Sequence, residues 1–300
     1  MIETVNVSKQ FDAIKALDQV TATIKEGNVF GLVGTNGAGK STFLRIMSGI
    51  LRPDDGIVKI DGMDVYENRK AKELFFYISD DQYFFSNSTP KDLKRYYDII
   101  YPNFDGSRFD TLMKQFELEQ DRKINTFSKG MKKQVSIICG ICANTRYIFC
   151  DETFDGLDPV MRQAVKSIFA KEIAERNLTP VIASHNLREL EDICDHVGLL
   201  HKGGILLSKD LFDMKLTIHK IQCVFQDNTD LNQIFENIEI LKTEKRGSLY
   251  TITARGNSEE ITRKIAAHNP VFCEVLPLTL EEIFISETEV VGYDIKKLIL

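Results

Sequence analysis

The N-terminal part of the chain alternates short apolar runs with turn residues. Residues 4–7, 20–24, 29–33 and 57–60 fit β-strands, separated by Glu26-Gly27 and Pro53-Asp54-Asp55-Gly56. From about residue 83 the period changes. Ser88-Thr89-Pro90-Lys91-Asp92 marks a helix start, and Leu93, Tyr96, Tyr97 and Ile100 follow at helical spacing. Residues 111–116 and 132–143 predict two further helices. Alternation returns after 146: strand 147–150, helix 160–176, strand 180–184, helix 187–194, then strands near 197–200 and 205–207. Strands and helices in this order predict an α/β fold with a parallel-sheet core, an antiparallel strand-rich N-terminal part and a helical insertion at about 83–145.

Beyond about residue 215 the pattern predicts a second, small α+β unit. Residues 221–225, 231–237, 238–243, 248–254, 258–268 and 271–276 fit the order β-α-β-β-α-β, which suits a ferredoxin-like domain. A closing helix follows at 278–284, with Thr279 as its N-cap. The expected domains are therefore 1–214 and 215–300. The terminal Lys296-Lys297-Leu298-Ile299-Leu300 reads as a partner contact or a frayed tail.

Composition narrows the class. A hydrophobic content of 43% with 27% charged residues is that of a globular protein with a sizeable core. The longest apolar run, 135–143, falls well short of the roughly 20 residues that span a bilayer. Met1-Ile2-Glu3-Thr4 lacks the basic-then-apolar pattern of a signal peptide, so a cytoplasmic protein is expected. A net charge of −6 gives no general attraction to nucleic acid, and none is expected as a partner. The six cysteines are 139, 142, 150, 194, 223 and 273. Cys139 and Cys142 have C-x-x-C spacing, but no second pair completes a zinc site. Both lie in the apolar 135–143 run and are expected to be buried, reduced thiols.

The chemistry begins at Gly34-Thr35-Asn36-Gly37-Ala38-Gly39-Lys40-Ser41, which fits G-x-x-x-x-G-K-[ST]. It follows the apolar strand Val29-Phe30-Gly31-Leu32-Val33 and opens an amphipathic helix at Thr42. Glycines let a backbone wrap closely round phosphates, and its N–H groups converge at the helix N-terminus. Lys40 is placed to reach the β- and γ-phosphates, and the Ser41 hydroxyl to ligate Mg²⁺. The chain is thus expected to bind a nucleoside triphosphate.

Arg146-Tyr147-Ile148-Phe149-Cys150-Asp151-Glu152 is an apolar strand ending in two acids. Triphosphate hydrolysis needs one carboxylate for the metal and another to orient or deprotonate the attacking water. Asp151 suits the first task and Glu152 the second. The segment from Asn125 to Gln134 stands at the entrance to the 135–143 helix, where Ser128 can cap and Gly130 permits close backbone approach.

Together these residues resemble the ATPase subunit of an ATP-binding-cassette (ABC) transporter. The resemblance covers residues 1 to about 212. It rests on the P-loop at 34–41, Phe127-Ser128-Lys129-Gly130-Met131, Asp151-Glu152, Gly156-Leu157-Asp158-Pro159 and Ser184-His185. The Ser-Lys-Gly-Met form with a C-terminal extension is similar to bacterial exporters of drugs, bacitracin-type antibiotics and peptides. It implies ATP and Mg²⁺ held between two ATPase subunits, either two copies or two different chains. The P-loop of one, with Gly34, Thr35, Asn36, Gly37, Ala38, Gly39, Lys40, Ser41 and Thr42, faces Ser128 and Gly130 of the other. Lys129 stands where many members have glycine, and Met131 where many have glutamine.

The resemblance also implies a γ-phosphate-sensing role for His185, subunit communication for Asp158 and adenine stacking for Phe11. The position of the family's glutamine loop falls at Asp80, with Gln82 displaced from it, and the sequence leaves open which of the two serves. A separate transmembrane partner is implied, with the chain peripheral on the cytoplasmic face of the membrane. Two other functions stay open on sequence alone. One is a soluble ABC ATPase in ribosome protection or DNA maintenance, a class that usually carries coiled coils, basic surfaces or a second cassette. The other is a slow ATPase acting as a sensing subunit.

Overall fold

The computed structural model describes residues 1–225 and 238–290. They divide into two compact units, one of Met1–Ser208 and one beginning at Lys209.

The first unit opens with a hairpin of β1 (Ile2–Phe11) and β2 (Ile14–Ile24), followed by β3 (Phe30–Val33) and α1 (Lys40–Met47). Both hairpin strands extend beyond the apolar runs that predict them. Their outer halves are polar because only one face of this sheet is buried, and cross-strand pairing from Ile2↔Ile24 to Phe11↔Ile14 recruits them. Then come β4 (Asp55–Ile60), β5 (Met63–Asp64), the short α2 (Arg69–Lys72) and β6 (Phe75–Ile78).

The helical insertion holds α3 (Pro90–Ile100), α4 (Gly106–Gln115) and α5 (Lys129–Cys142). Thr89 caps α3 in a capping box with Asp92, and Asp105 caps α4. The core resumes with β7 (Tyr147–Asp151), α6 (Pro159–Arg176), β8 (Thr179–Ser184), α7 (Leu187–Glu191), β9 (His196–His201) and β10 (Gly204–Asp210).

These strands form an antiparallel sheet, β2-β1-β4-β5, and a six-stranded sheet, β10-β9-β3-β8-β7-β6. In the latter, β3 lies between β8 and β9, and β7 between β8 and β6, all in parallel. One core joins both sheets through α1, whose Phe43, Leu44, Ile46 and Met47 are buried among Leu17, Val58, Phe149 and Val181. Burial of each such side chain contributes about 1.5–3 kcal/mol. The helix that opens with Lys40 is thereby clamped on two sides.

The helix expected at 187–194 ends instead at Glu191. The residues after it are drawn back to the sheet: Asp195 Oδ2 accepts from Val29 N–H at 2.8 Å, and Cys194 packs against Gly31. A Cβ on Gly31 would come within 2.8 Å of the Cys194 sulfur, so this close approach needs glycine. Cys139 and Cys142 are free and buried, as expected; burial pushes the Cys142 thiol up to about 12.

The second unit contains α8 (Leu211–Thr217), β11 (Ile218–Val224), β12 (Glu239–Arg246), β13 (Leu249–Arg255), α9 (Ser258–Ala266), β14 (Phe272–Leu276) and α10 (Leu280–Val290). Its antiparallel sheet runs β12-β13-β11-β14, the interleaved order of the ferredoxin-like pattern. Ile261 and Ile265 of α9 pack on Ile221, Cys223, Ile252 and Ala254 of the sheet. The helix predicted at 231–237 and the tail at 296–300 lie outside the described residues.

Candidate active site

The P-loop joins β3 to α1 at the end of the parallel sheet, with Thr35, Asn36 and Gly37 at its exposed crest. Gly39, the N-cap of α1, has φ +105°, and a Cβ there would meet the Ala16 carbonyl at 2.4 Å. Gly34 is as tightly held, since its Cβ would lie 2.4 Å from the Leu200 carbonyl. Both positions therefore require glycine for steric reasons alone. Lys40 is buried and folds back over the loop, donating to the carbonyls of Gly34 at 2.7 Å and Thr35 at 3.3 Å. Its ammonium also lies 3.4 Å from Glu152 Oε1.

The two acids at the end of β7 diverge as their adjacency suggests. Ser41 Oγ donates to Asp151 Oδ1 at 3.0 Å, and the Tyr77 hydroxyl donates to Asp151 Oδ2 at 3.2 Å. Burial raises the Asp151 carboxyl above its ordinary range, although both hydrogen bonds oppose the shift. Burial and the nearby Asp151 charge push the Tyr77 phenol up to about 12. Glu152 adopts the left-handed conformation, φ +45°, which turns its side chain away from that of Asp151. Its Oε2 lies 2.9 Å from His185 Nδ1 and accepts from His185 N–H at 3.3 Å. Lys40, Ser41, Asp151, Glu152 and His185, distant in sequence, thus meet in one network.

A hydroxyl and a carboxylate at hydrogen-bond distance supply the hard oxygen donors that suit Mg²⁺, so Ser41 and Asp151 fit that ion. Glu152, Asp155 and His185 also converge, with Asp155 Oδ2 at 3.9 Å from His185 Nδ1. Glu152 is already engaged there by Lys40, and an imidazole is a poor ligand for Mg²⁺.

Other predicted residues stand apart from this network. Ser128 caps α5, accepting from Met131 N–H at 3.2 Å, and is exposed. A Cβ on Gly130 would meet the Gly156 carbonyl at 3.1 Å, so the Ser128 turn abuts the loop leading to Asp158. Asp158 caps α6 through Val160 and Met161 N–H, both at 2.9 Å. Phe11 is not a core residue: it is 43% exposed at the end of β1, with Lys9 Nζ 5.6 Å from its ring centre. Asp80 pairs with Lys133 at 3.3 Å, whereas the Gln82 amide nitrogen is buried without a hydrogen-bond partner among the described residues.

Sequence reasoning missed Tyr77 and Lys133. Tyr77 sits on an apolar strand, where a tyrosine reads as core. Lys133 belongs to a Lys132-Lys133 pair that reads as a solvated helix start, yet its side chain is only 1% exposed and it donates to the Glu152 carbonyl. No spacing along the chain singles it out from Lys132.

The sequence pattern of the ABC transporter family matches residues 17–155. The ABC transporter ATP-binding protein YtrB of Bacillus subtilis is 33% identical over 287 residues, covering 96% of this chain and 98% of YtrB. The bacitracin transport ATP-binding protein BcrA of Bacillus licheniformis is 29% identical over 209 residues, 69% of this chain and 68% of BcrA. Among solved structures, an ATP-binding subunit of an ABC transporter superposes with a TM-score of 0.66 at 26% identity, covering 72% of this chain and 92% of its own. A dimeric ATP-binding cassette in a post-hydrolysis state, bound to ADP and Pi, gives 0.62 at 23% identity, covering 70% and 99%. That likeness speaks for the fold. No described helix is long and apolar enough to cross a membrane. The site network and the nearly end-to-end match to YtrB carry the same conclusion: the chain belongs to the ABC transporter family, as an ATP-binding subunit that hydrolyses ATP.

Proposed function

We propose that two copies of this chain close around ATP and Mg²⁺, and that hydrolysis drives a separate transmembrane subunit from the cytoplasmic face of the membrane. The observation that carries this reading is the Glu152 carboxylate, held 3.4 Å from the Lys40 ammonium and 2.9 Å from His185. In-line attack of water on a γ-phosphate needs positioning and charge neutralisation more than covalent chemistry. Glu152 orients the water and accepts its proton at a carboxylate oxygen. Lys40 and the N–H groups at the start of α1 draw the phosphates in. His185 holds the free edge of Glu152 and senses the γ-phosphate beside it. Ser41 and Asp151 would hold Mg²⁺, which when bound neutralises phosphate charge. Ser128 and Gly130 of the second copy complete the site, and Phe11 offers a face to the adenine.

The transmembrane partner seats a helix in the groove lined by Phe75, Phe76, Tyr97, Ile99 and Ile100, with the charged Glu67, Arg69, Lys72 and Glu73 also lining it. Ile99 in that groove is 83% exposed and Tyr83 on the adjoining loop 85%, an unusual amount of apolar and aromatic surface for an unpartnered face. BcrA is named for bacitracin transport, and on that likeness the cargo is a peptide antibiotic or drug moved outward.

Glu152→Gln should lower steady-state turnover by at least about 10³-fold, roughly 4 kcal/mol of barrier, with ATP affinity kept. Hydrolysis near the wild-type rate would remove Glu152 from the base role. Purifying that variant from native membranes with ATP and Mg²⁺ should retain a polytopic membrane protein at fixed ratio. A solitary or ribosome-bound species would contradict the transport reading.

A further inference from the structure

We propose that Lys133 is a positioning residue that ties the backbone behind Glu152 to the loop carrying Asp80, so that movement of this loop reaches the hydrolytic carboxylate. The inference rests on the base role proposed above for Glu152. Lys133 lies in the first turns of α5, and its ammonium is enclosed by protein with 1% of the side chain exposed. Its oxygen partners are the backbone carbonyl of Glu152 and Asp80 Oδ1, the latter at 3.3 Å. A buried ammonium is costly unless oxygen atoms surround it, so it cannot release either partner freely.

Glu152 is the residue most in need of such a hold. A left-handed conformation at φ +45° is uncommon for a side-chain-bearing residue and persists where its surroundings enforce it. Its N–H donates to the Ala183 carbonyl at 3.0 Å, fixing it to β8, and its own carbonyl accepts from Asp155 N–H at 3.2 Å. Lys133 supplies a further bond to that same carbonyl oxygen, and it alone brings a full charge. The carbonyl and the carboxylate share one Cα. A rotation of this peptide therefore shifts the carboxylate relative to Lys40 and His185.

The other end of the tie is adaptable. Asp80 is 48% exposed and follows β6, on the stretch that continues to Tyr83 and Phe85, themselves 85% and 51% exposed. A partner covering these aromatics presses on the chain within a few residues of Asp80. If Asp80 withdraws, the buried ammonium loses its counter-charge and must follow it or turn wholly to the Glu152 carbonyl. Either response changes the hold on the turn. The salt bridge thus joins a surface loop to the catalytic carboxylate through a single side chain. Tyr77, which bonds Asp151 at 3.2 Å from β6, supports the same segment on the metal side.

The test measures kcat and ATP affinity of the full-length protein for Lys133→Gln, Asp80→Asn, the double variant and Lys133→Arg, with thermal melting as the check on folding. K133Q is expected to lower kcat about tenfold or more with affinity within about twofold, because the carboxylate is misplaced while the P-loop is intact. D80N is expected to cost less. The double variant should be no slower than K133Q alone, since both changes break one tie, and K133R should recover most of the rate. Losses that multiply in the double variant, or a K133Q rate within about twofold of wild type, would overturn the proposal. If K133Q fails to fold, D80N and K133R decide: a slowed D80N beside a near-normal K133R supports the tie, and an unaffected D80N contradicts it. Glu152→Gln in the same preparation separates the two readings. An active E152Q beside an impaired K133Q contradicts the base assignment, whereas an inactive E152Q beside a normal K133Q contradicts the positioning role.

Discussion

Around the P-loop, Lys40 bonds the carbonyls of Gly34 and Thr35 and reaches Glu152, while Ser41 and Tyr77 converge on Asp151. At the Ser128-Lys129-Gly130 turn, the signature turn, the Ser128 hydroxyl serves only Met131 N–H among the described residues, and the side chain is exposed. The first region is wired within one chain; the second is a helix cap whose outer face is unengaged. Internal wiring makes the P-loop half ready to take a triphosphate. An exposed Ser-x-Gly turn contributes no such network of its own. That difference is the physical ground for the proposal that two subunits share each nucleotide.

The comparison can be broken most severely at Lys40. Lys40→Ala is expected to weaken ATP binding by about 10²-fold or more, measured by nucleotide titration, because it removes the buried cation aimed at the phosphates. Unchanged affinity would mean that the P-loop network is not the binding half. Ser128→Arg should instead leave affinity of the single chain within about twofold and lower turnover by about 10²-fold, since it blocks only the shared face. An equal loss of affinity would erase the distinction between the halves. Phe11→Ala sharpens the same contrast: about a tenfold weaker ATP affinity is expected from lost stacking, with little change in triphosphate discrimination.

Stability supplies the control away from either half. Glu172, on α6, is 1% exposed and accepts from Arg108 of α4 and from Arg176 Nε at 2.6 Å. Burial pushes its carboxyl up, but the bonds to Arg108 and Arg176 outweigh burial and hold it below its ordinary value of 4.5. A depressed folded-state pKa stabilises the protein above the ordinary glutamate range, and this contribution is lost as pH falls through the folded value. Glu172→Gln should therefore cost about 3 kcal/mol of stability at pH 7, read as a lower melting temperature, with the gap to wild type closing in acid. A gap independent of pH would assign the loss to packing.

The residues legible in the sequence were those whose role is set by spacing along the chain. The P-loop glycines, the Ser128 cap and the acid pair at the end of β7 each belong to one local element. What tertiary packing decides was hidden. Nothing along the chain separates Lys133 from Lys132, yet one is buried against the Glu152 carbonyl and the other only half-buried. The end of α7 was misplaced because Asp195 is claimed by Val29, far away in sequence. Asp80 pairs with a buried ammonium and the Gln82 amide nitrogen is buried without a partner among the described residues, a difference that spacing along the chain does not show. Whether Phe11 is exposed or buried in the core is likewise visible only in the fold, where it is exposed at the end of β1.

The claim that each nucleotide is shared between copies is tested most directly by mixing. Lys40→Ala protein lacks the P-loop half, and Ser128→Arg protein lacks the signature half, so each alone should hydrolyse ATP at background rate. In a mixed dimer one of the two sites pairs an intact P-loop with an intact signature turn. An equimolar mixture, steady-state ATPase being measured, is expected to regain about a quarter of wild-type activity, from half the dimers being mixed and half their sites intact. A mixture no more active than its components would contradict the shared site between copies of this chain.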